Sequence, residues 1–175
     1  MHVKTTTRVY AGAAQQGGFF LIEALIAILI FSLGVLGLVA MGGAAIAAQS
    51  DAQYRTEAAA LADEIASKIS LNVDRLNAGN VYASTAASIA ATLAPYQHQP
   101  NGVNCAFNGA VSADPVVQAW VTKVTSPGTG LPGATATSQQ IRIDTANFNR
   151  ISVTICWQAP QDRAVRQHTL VTYVN

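Results

Sequence analysis

The chain has 175 residues, half of them hydrophobic and only 11% charged, so it holds one ordinary domain and is more apolar than soluble domains usually are. A formal net charge of +1 and the lack of a concentrated basic block in the C-terminal half exclude the charge signature of a nucleic-acid-binding domain. Two cysteines and one mid-chain histidine lack the spacing of a metal site, so no cofactor is expected.

The apolar excess is concentrated near the N-terminus. His2, Lys4 and Arg8 come first, no acidic residue occurs until Glu23, and no charge at all lies from Ala24 to Ala48. That run exceeds the roughly 20 helical residues needed to cross a bilayer. The basic residues before it predict a cytoplasmic N-terminus, with everything after the helix exported. Two other readings fit the run. One is a secretory signal, for which Ala45-Ile46-Ala47 offers a small-x-small cleavage pattern. The other is a single-pass anchor with an unrelated head. The run is long for a signal, however, and Glu23 would have no use in a discarded segment. A carboxylate in such a helix costs about 3 kcal/mol at the bilayer midplane and less near the interface, so it normally has a partner. No Lys or Arg stands near Glu23 on the same helix. The partner is expected from another chain or from a chain terminus.

Beyond the apolar run, Tyr54, Ala58, Leu61, Ile65, Ile69, Val73 and Leu76 recur at three- or four-residue intervals. This is the stripe of an amphipathic helix, supported by acid-first pairs at Asp51–Arg55 and Glu64–Lys68. Asn77-Ala78-Gly79 is the expected stop. One helix from Phe19 to Leu76 would measure about 87 Å at 1.5 Å per residue. Gly34, Gly37, Gly42 and Gly43 fall in its first half, where small residues permit close helix approach, although glycine is common in membrane helices.

Ser84 to Leu93 is Ala-rich and predicts a short helix stopped by Pro95, and Gln97 to Asn104 reads as loop. Asp114-Pro115 is a helix start, an N-cap acid with proline in the first position, and Val116 to Val121 follow as helix. Ser126 to Gly133 is a loop rich in Gly and Pro. Three strands close the chain. Ile141 and Ile143 alternate with Arg142 and Asp144. Ile151, Val153, Ile155 and Trp157 alternate with Ser152, Thr154 and Cys156, and Thr169 to Val174 forms the last run after a turn at Pro160 to Arg163. Short links make these an antiparallel meander whose Ile151–Trp157 face packs on the Tyr54–Leu76 stripe. The expected class is α+β, a long N-terminal helix packed on a small C-terminal antiparallel sheet.

Cys156 then faces away from Trp157, and Cys105 would reach it from the preceding loop region. In an oxidising compartment an even count favours a Cys105–Cys156 disulfide, worth about 4 kcal/mol for a loop of this length in the chain-entropy model. Two free thiols remain the alternative. No catalytic constellation is recognisable. His98 and His168, both expected in solvent, stand outside any nucleophile or metal pattern, and Asp114, Asp144 and Asp162 occur singly, so no enzymatic activity is expected. Lys123, Arg142, Arg150, Arg163 and Arg166 would make a DNA-gripping surface only if unopposed. With Asp114, Asp144 and Asp162 among them, an ordinary solvated face is expected and nucleic acid is not.

Gly17-Gly18-Phe19-Phe20-Leu21-Ile22-Glu23-Ala24-Leu25, after a basic leader and before an apolar helix, resembles the processing site of type IV prepilins and type II secretion pseudopilins. The resemblance implies cleavage between Gly18 and Phe19 by a membrane prepilin peptidase, N-methylation of Phe19, and an assembly role for Glu23 as fifth residue of the mature chain. Phe20 departs from the family, which commonly has Thr there. Residues 1–18 would be the leader, 19–48 the transmembrane and filament-core half of the helix, and 49–175 a periplasmic head with the pilin fold. Phe31 to Leu38, together with the order Asp114, Trp120, Leu131-Pro132-Gly133 and the Val153-to-Trp157 strand, is similar to the minor pilins of the type IV pilus modification group, PilV. The implied role is structural: priming pilus assembly at or near the tip, in support of adhesion and twitching motility. The implied partners are the major pilin, other minor pilins, a tip adhesin and the inner-membrane assembly platform. The chain would start as a single-pass inner-membrane protein and end in the pilus at the cell surface. A minor pseudopilin of a type II secretion system and a DNA-uptake pilin are the alternatives within the family.

Overall fold

The computed structural model describes residues 19–75 and 86–174. Helix α1 runs from Phe19 to Asn72, and the chain divides into two compact units between Ile46 and Ala47. In the first unit the helix is apolar on every side and its side chains are exposed, Phe19 and Leu38 among them. A helix that is hydrophobic all round belongs in a core or a membrane. This one is long and apolar enough to cross a bilayer.

In the second unit α1 changes character. Ala58, Leu61, Ile65 and Ile69, with Val73 just past its end, form the expected stripe and are buried, with Tyr54 packed partly against them. Ala62 and Ala66 widen the stripe, their small side chains letting neighbouring elements close on the helix. Both acid-first pairs form, Arg55 to Asp51 at 2.9 Å and Lys68 to Glu64 at 2.7 Å. The helix ends at Asn72, earlier than the Leu76 expected from sequence. Side-chain donors take over the terminal carbonyls there: Asn72 Nδ2 donates to Lys68 O at 2.8 Å and Arg75 to Ser70 O at 3.0 Å. Leu76 and the Asn77-Ala78-Gly79 stop lie outside the described residues, as does Ser84.

Helix α2 (Ala86–Leu93) is followed by a single 3-10 turn at Ala94–Tyr96 that begins where Pro95 forbids further α-helix. It buries Ile89 and Leu93. Helix α3 (Pro115–Thr125) starts as its sequence dictates: Asp114 accepts hydrogen bonds from the Val116 and Val117 amides at 2.9 and 3.4 Å. It continues four residues past Val121 because Val124 is also a core residue. The Trp120 indole N–H donates to the Leu61 carbonyl at 2.9 Å, which fixes α3 against α1 while satisfying a buried donor.

Strands β3 (Gln139–Asp144), β4 (Arg150–Trp157) and β5 (Arg166–Tyr173) form an antiparallel sheet in the order β3-β4-β5. Ile141 pairs with Val153, and Val153 with Leu170. Ile151, Val153, Ile155 and Trp157 are buried in one cluster with the α1 stripe and α3. The unit is α+β, a helix packed on a small antiparallel sheet. β5 begins three residues earlier than the expected Thr169 and stops before Val174. The Val174 amide instead donates to Asn149 O at 3.3 Å, and Asn149 Nδ2 donates to Val174 O at 3.2 Å.

The segment expected as loop from Gln97 to Asn104 holds the first strand of a small hairpin. Strands β1 (Asn101–Val103) and β2 (Ala106–Asn108) pair antiparallel about Asn104-Cys105, both of which have positive φ. Two consecutive left-handed residues are what a two-residue hairpin turn requires. A cysteine in that place is not a turn signal a sequence offers.

Candidate functional site

Two places gather the residues singled out by the sequence. The first is the start of α1. Phe19 is the first residue of the helix and Glu23 stands one turn later, four residues on and so on the same face. Both are exposed. The next charged residue along α1 is Asp51 and the first basic one is Arg55, so the helix itself supplies no cation to Glu23. A carboxylate so placed can accept an ammonium or a strong hydrogen-bond donor from outside its own helix. Gly34, Gly37, Gly42 and Gly43 carry nothing within 4 Å of a would-be Cβ, so bare backbone is open to a second helix along this stretch. Gly18 lies outside the described residues.

The second is the disulfide region. Cys105 and Cys156 are bonded, S–S 2.05 Å with Cα atoms 5.8 Å apart, and they close a separation of 51 residues. Cys156 is fully buried on the β4 face opposite Ile155 and Trp157. The bond therefore ties the β1–β2 hairpin to the second face of the sheet.

A polar network missed in the sequence holds the same segment to β3. His98 and Ile141 exchange backbone hydrogen bonds at 3.0 and 2.9 Å, which covers part of the β3 edge. His98 is 2% exposed, not in solvent as expected. Its Nδ1 accepts from the Ser112 amide at 3.3 Å and its Nε2 lies 3.5 Å from Ala136 O. Burial holds its pKa below the usual imidazole value, against a smaller opposite effect of the Ala136 carbonyl. Gln140 Nε2 donates to Gln99 O at 2.9 Å, and Gln99 Nε2 to Ala136 O at 2.9 Å. The fully buried Gln139 extends the β4 ladder past the end of β3. Its side chain accepts from Cys156 N at 3.2 Å and donates to Cys156 O at 3.0 Å. None of these partners is close in sequence, so periodicity could not announce them.

The basic residues of the second unit are largely engaged. Lys123 meets Glu64 at 2.6 Å, Arg150 meets Asp144 at 3.3 Å, and Arg166 meets Asp162 at 3.2 Å. Lys123, then Lys68, holds the Glu64 carboxyl below its ordinary pKa, and Asn147, with a smaller contribution from Arg150, does the same for Asp144. Arg142 and Arg163 are exposed. His168 is half-buried on β5, paired across the sheet with Ile155.

Comparison with known proteins gives no neighbour: no family model, no curated protein and no solved structure matches this chain.

Proposed function

We propose that the chain is a minor subunit of a type IV pilus, made as a precursor and assembled through its N-terminal helix. The observation that carries this reading is Glu23, an acid alone at the start of an apolar helix, five residues after Gly18 in a stretch that resembles a prepilin processing site. On this reading the peptidase removes residues 1–18 and leaves an ammonium, N-methylated, on Phe19. Glu23 of one subunit pairs with that ammonium on a neighbour, because each charge meets its counterion where water is scarce. The α+β head beyond Ala47, closed by the disulfide, suits an exported compartment. The role is structural, at or near the filament tip among the major pilin, other minor pilins, a tip adhesin and the inner-membrane platform, in support of adhesion and twitching.

Glu23→Ala tests it. The variant should be cleaved normally, accumulate in the inner membrane and be depleted from sheared pili on immunoblots of both fractions. Normal abundance in pili would overturn the role given to Glu23.

A further inference from the structure

The β1–β2 hairpin carries both Asn-Gly pairs of the chain, Asn101-Gly102 and Asn108-Gly109. The register sets Asn101 directly opposite Asn108. Both asparagines are exposed, and neither side-chain amide makes a hydrogen bond among the described residues. Folding explains the glycines. Gly102 has φ +90° and Gly109 φ +109°; a Cβ would collide with the Ala106 carbonyl at the first and stand 2.9 Å from Pro100 Cδ at the second. Folding does not explain the asparagines, a residue type that strands disfavour.

The pairing also leaves the two glycine nitrogens free. Val103 and Ala106 flank the two-residue turn and form its hydrogen-bonded pair, so Asn101 with Asn108 is the next bonded pair. The Gly102 amide between them points away from the partner strand, and so does that of Gly109. Neither meets an acceptor in the loops among the described residues. Each free nitrogen follows an asparagine whose amide is free to turn toward it, and no Cβ on the glycine crowds the approach.

We propose that the hairpin is a site of spontaneous deamidation at Asn101 and Asn108. The Gly102 nitrogen gives its proton to solvent and attacks Asn101 Cγ. A C–N bond forms, the Cγ–Nδ2 bond breaks, and Nδ2 leaves as ammonia, which closes a cyclic imide. Water then opens the ring, at Cγ to give Asp or at the main-chain carbonyl to give isoaspartate. The net change is loss of ammonia and gain of water, with no oxidant or reductant. Asn108 and Gly109 react in the same way. Aspartate at both positions sets two like charges opposite one another, which destabilises a strand pair. Isoaspartate routes the chain through the side chain and turns the Asn101 carbonyl, which accepts Gln140 Nε2 at 3.4 Å, into a free carboxylate. The modified hairpin loses its pairing while Cys105 stays bonded to Cys156.

The test holds the full chain in detergent under warm, mildly alkaline conditions for days. Peptide mass spectrometry then reads the mass gain of an amide-to-acid exchange at each asparagine, and isoaspartyl methyltransferase labelling identifies the isoaspartate. Asn104 and Asn147, exposed but followed by Cys105 and Phe148, are the internal references. Asn101 and Asn108 should convert several-fold faster than both. Conversion no faster than the references would overturn the proposal, as would conversion seen only when guanidinium chloride unfolds the chain. Asn101→Gln with Asn108→Gln should abolish the gain, because the longer side chain closes its imide far more slowly. Hydrogen exchange at the Val103 and Ala106 amides should quicken in the aged native chain and not in the aged double variant. Equal exchange in the two would overturn the loosening of the hairpin.

Discussion

Protonation of His98 should weaken the fold. Its Nδ1 accepts the Ser112 amide and its Nε2 faces a carbonyl, so the neutral ring with hydrogen on Nε2 satisfies both neighbours. A second proton would leave the Ser112 donor facing another donor and place a charge where burial disfavours one. The folded pKa lies below the unfolded value of about 6.5. The contribution is therefore fully present above pH 6.5 and is lost as pH falls through the folded value. Urea denaturation at pH 7.5 and 5.5 should show a lower midpoint in acid for the native chain, and a smaller drop for His98→Gln. An equal drop in both would show that His98 does not carry the effect. Nothing local in the sequence marked this residue as buried, because its partners are backbone groups 14 and 38 residues away.

At the scale of elements, the disulfide is what should keep the β1–β2 hairpin on the sheet. Two three-residue strands form no stable unit alone, and Cys105 occupies a left-handed turn position that costs more for it than for glycine. Cys105→Ser with Cys156→Ser should lower stability by about 4 kcal/mol in the chain-entropy model, read as a fall in denaturation midpoint. An unchanged midpoint would mean that the Gln99, Gln140 and His98 hydrogen bonds suffice. The same contrast explains what the sequence revealed. The Tyr54–Val73 stripe, the Asp114-Pro115 start and the alternation of Ile151 to Trp157 are local patterns, and each appears as an element with its expected face inward. The hairpin has neither length nor periodicity and exists through contacts distant in sequence. The end of α1 was misplaced because Leu76 continued the apolar spacing, whereas side chains of Asn72 and Arg75 terminate the helix first.

For the whole molecule, the two units differ in what they leave exposed. The first exposes a continuous apolar surface of a kind soluble proteins rarely leave uncovered, and its one carboxylate has no cation within 30 residues on its helix. The second buries its stripe against a sheet and pairs most of its charges. On the proposed function, a precursor cut at the membrane boundary would account for the first, since cleavage would expose the helix start as an ammonium for a neighbour's Glu23. Mass spectrometry of the chain recovered from sheared filaments tests this most directly. The account predicts a mature N-terminus at N-methylated Phe19, following cleavage after Gly18. A chain that begins near Gln49, after Ala45-Ile46-Ala47, or one that keeps residues 1–18, would contradict it.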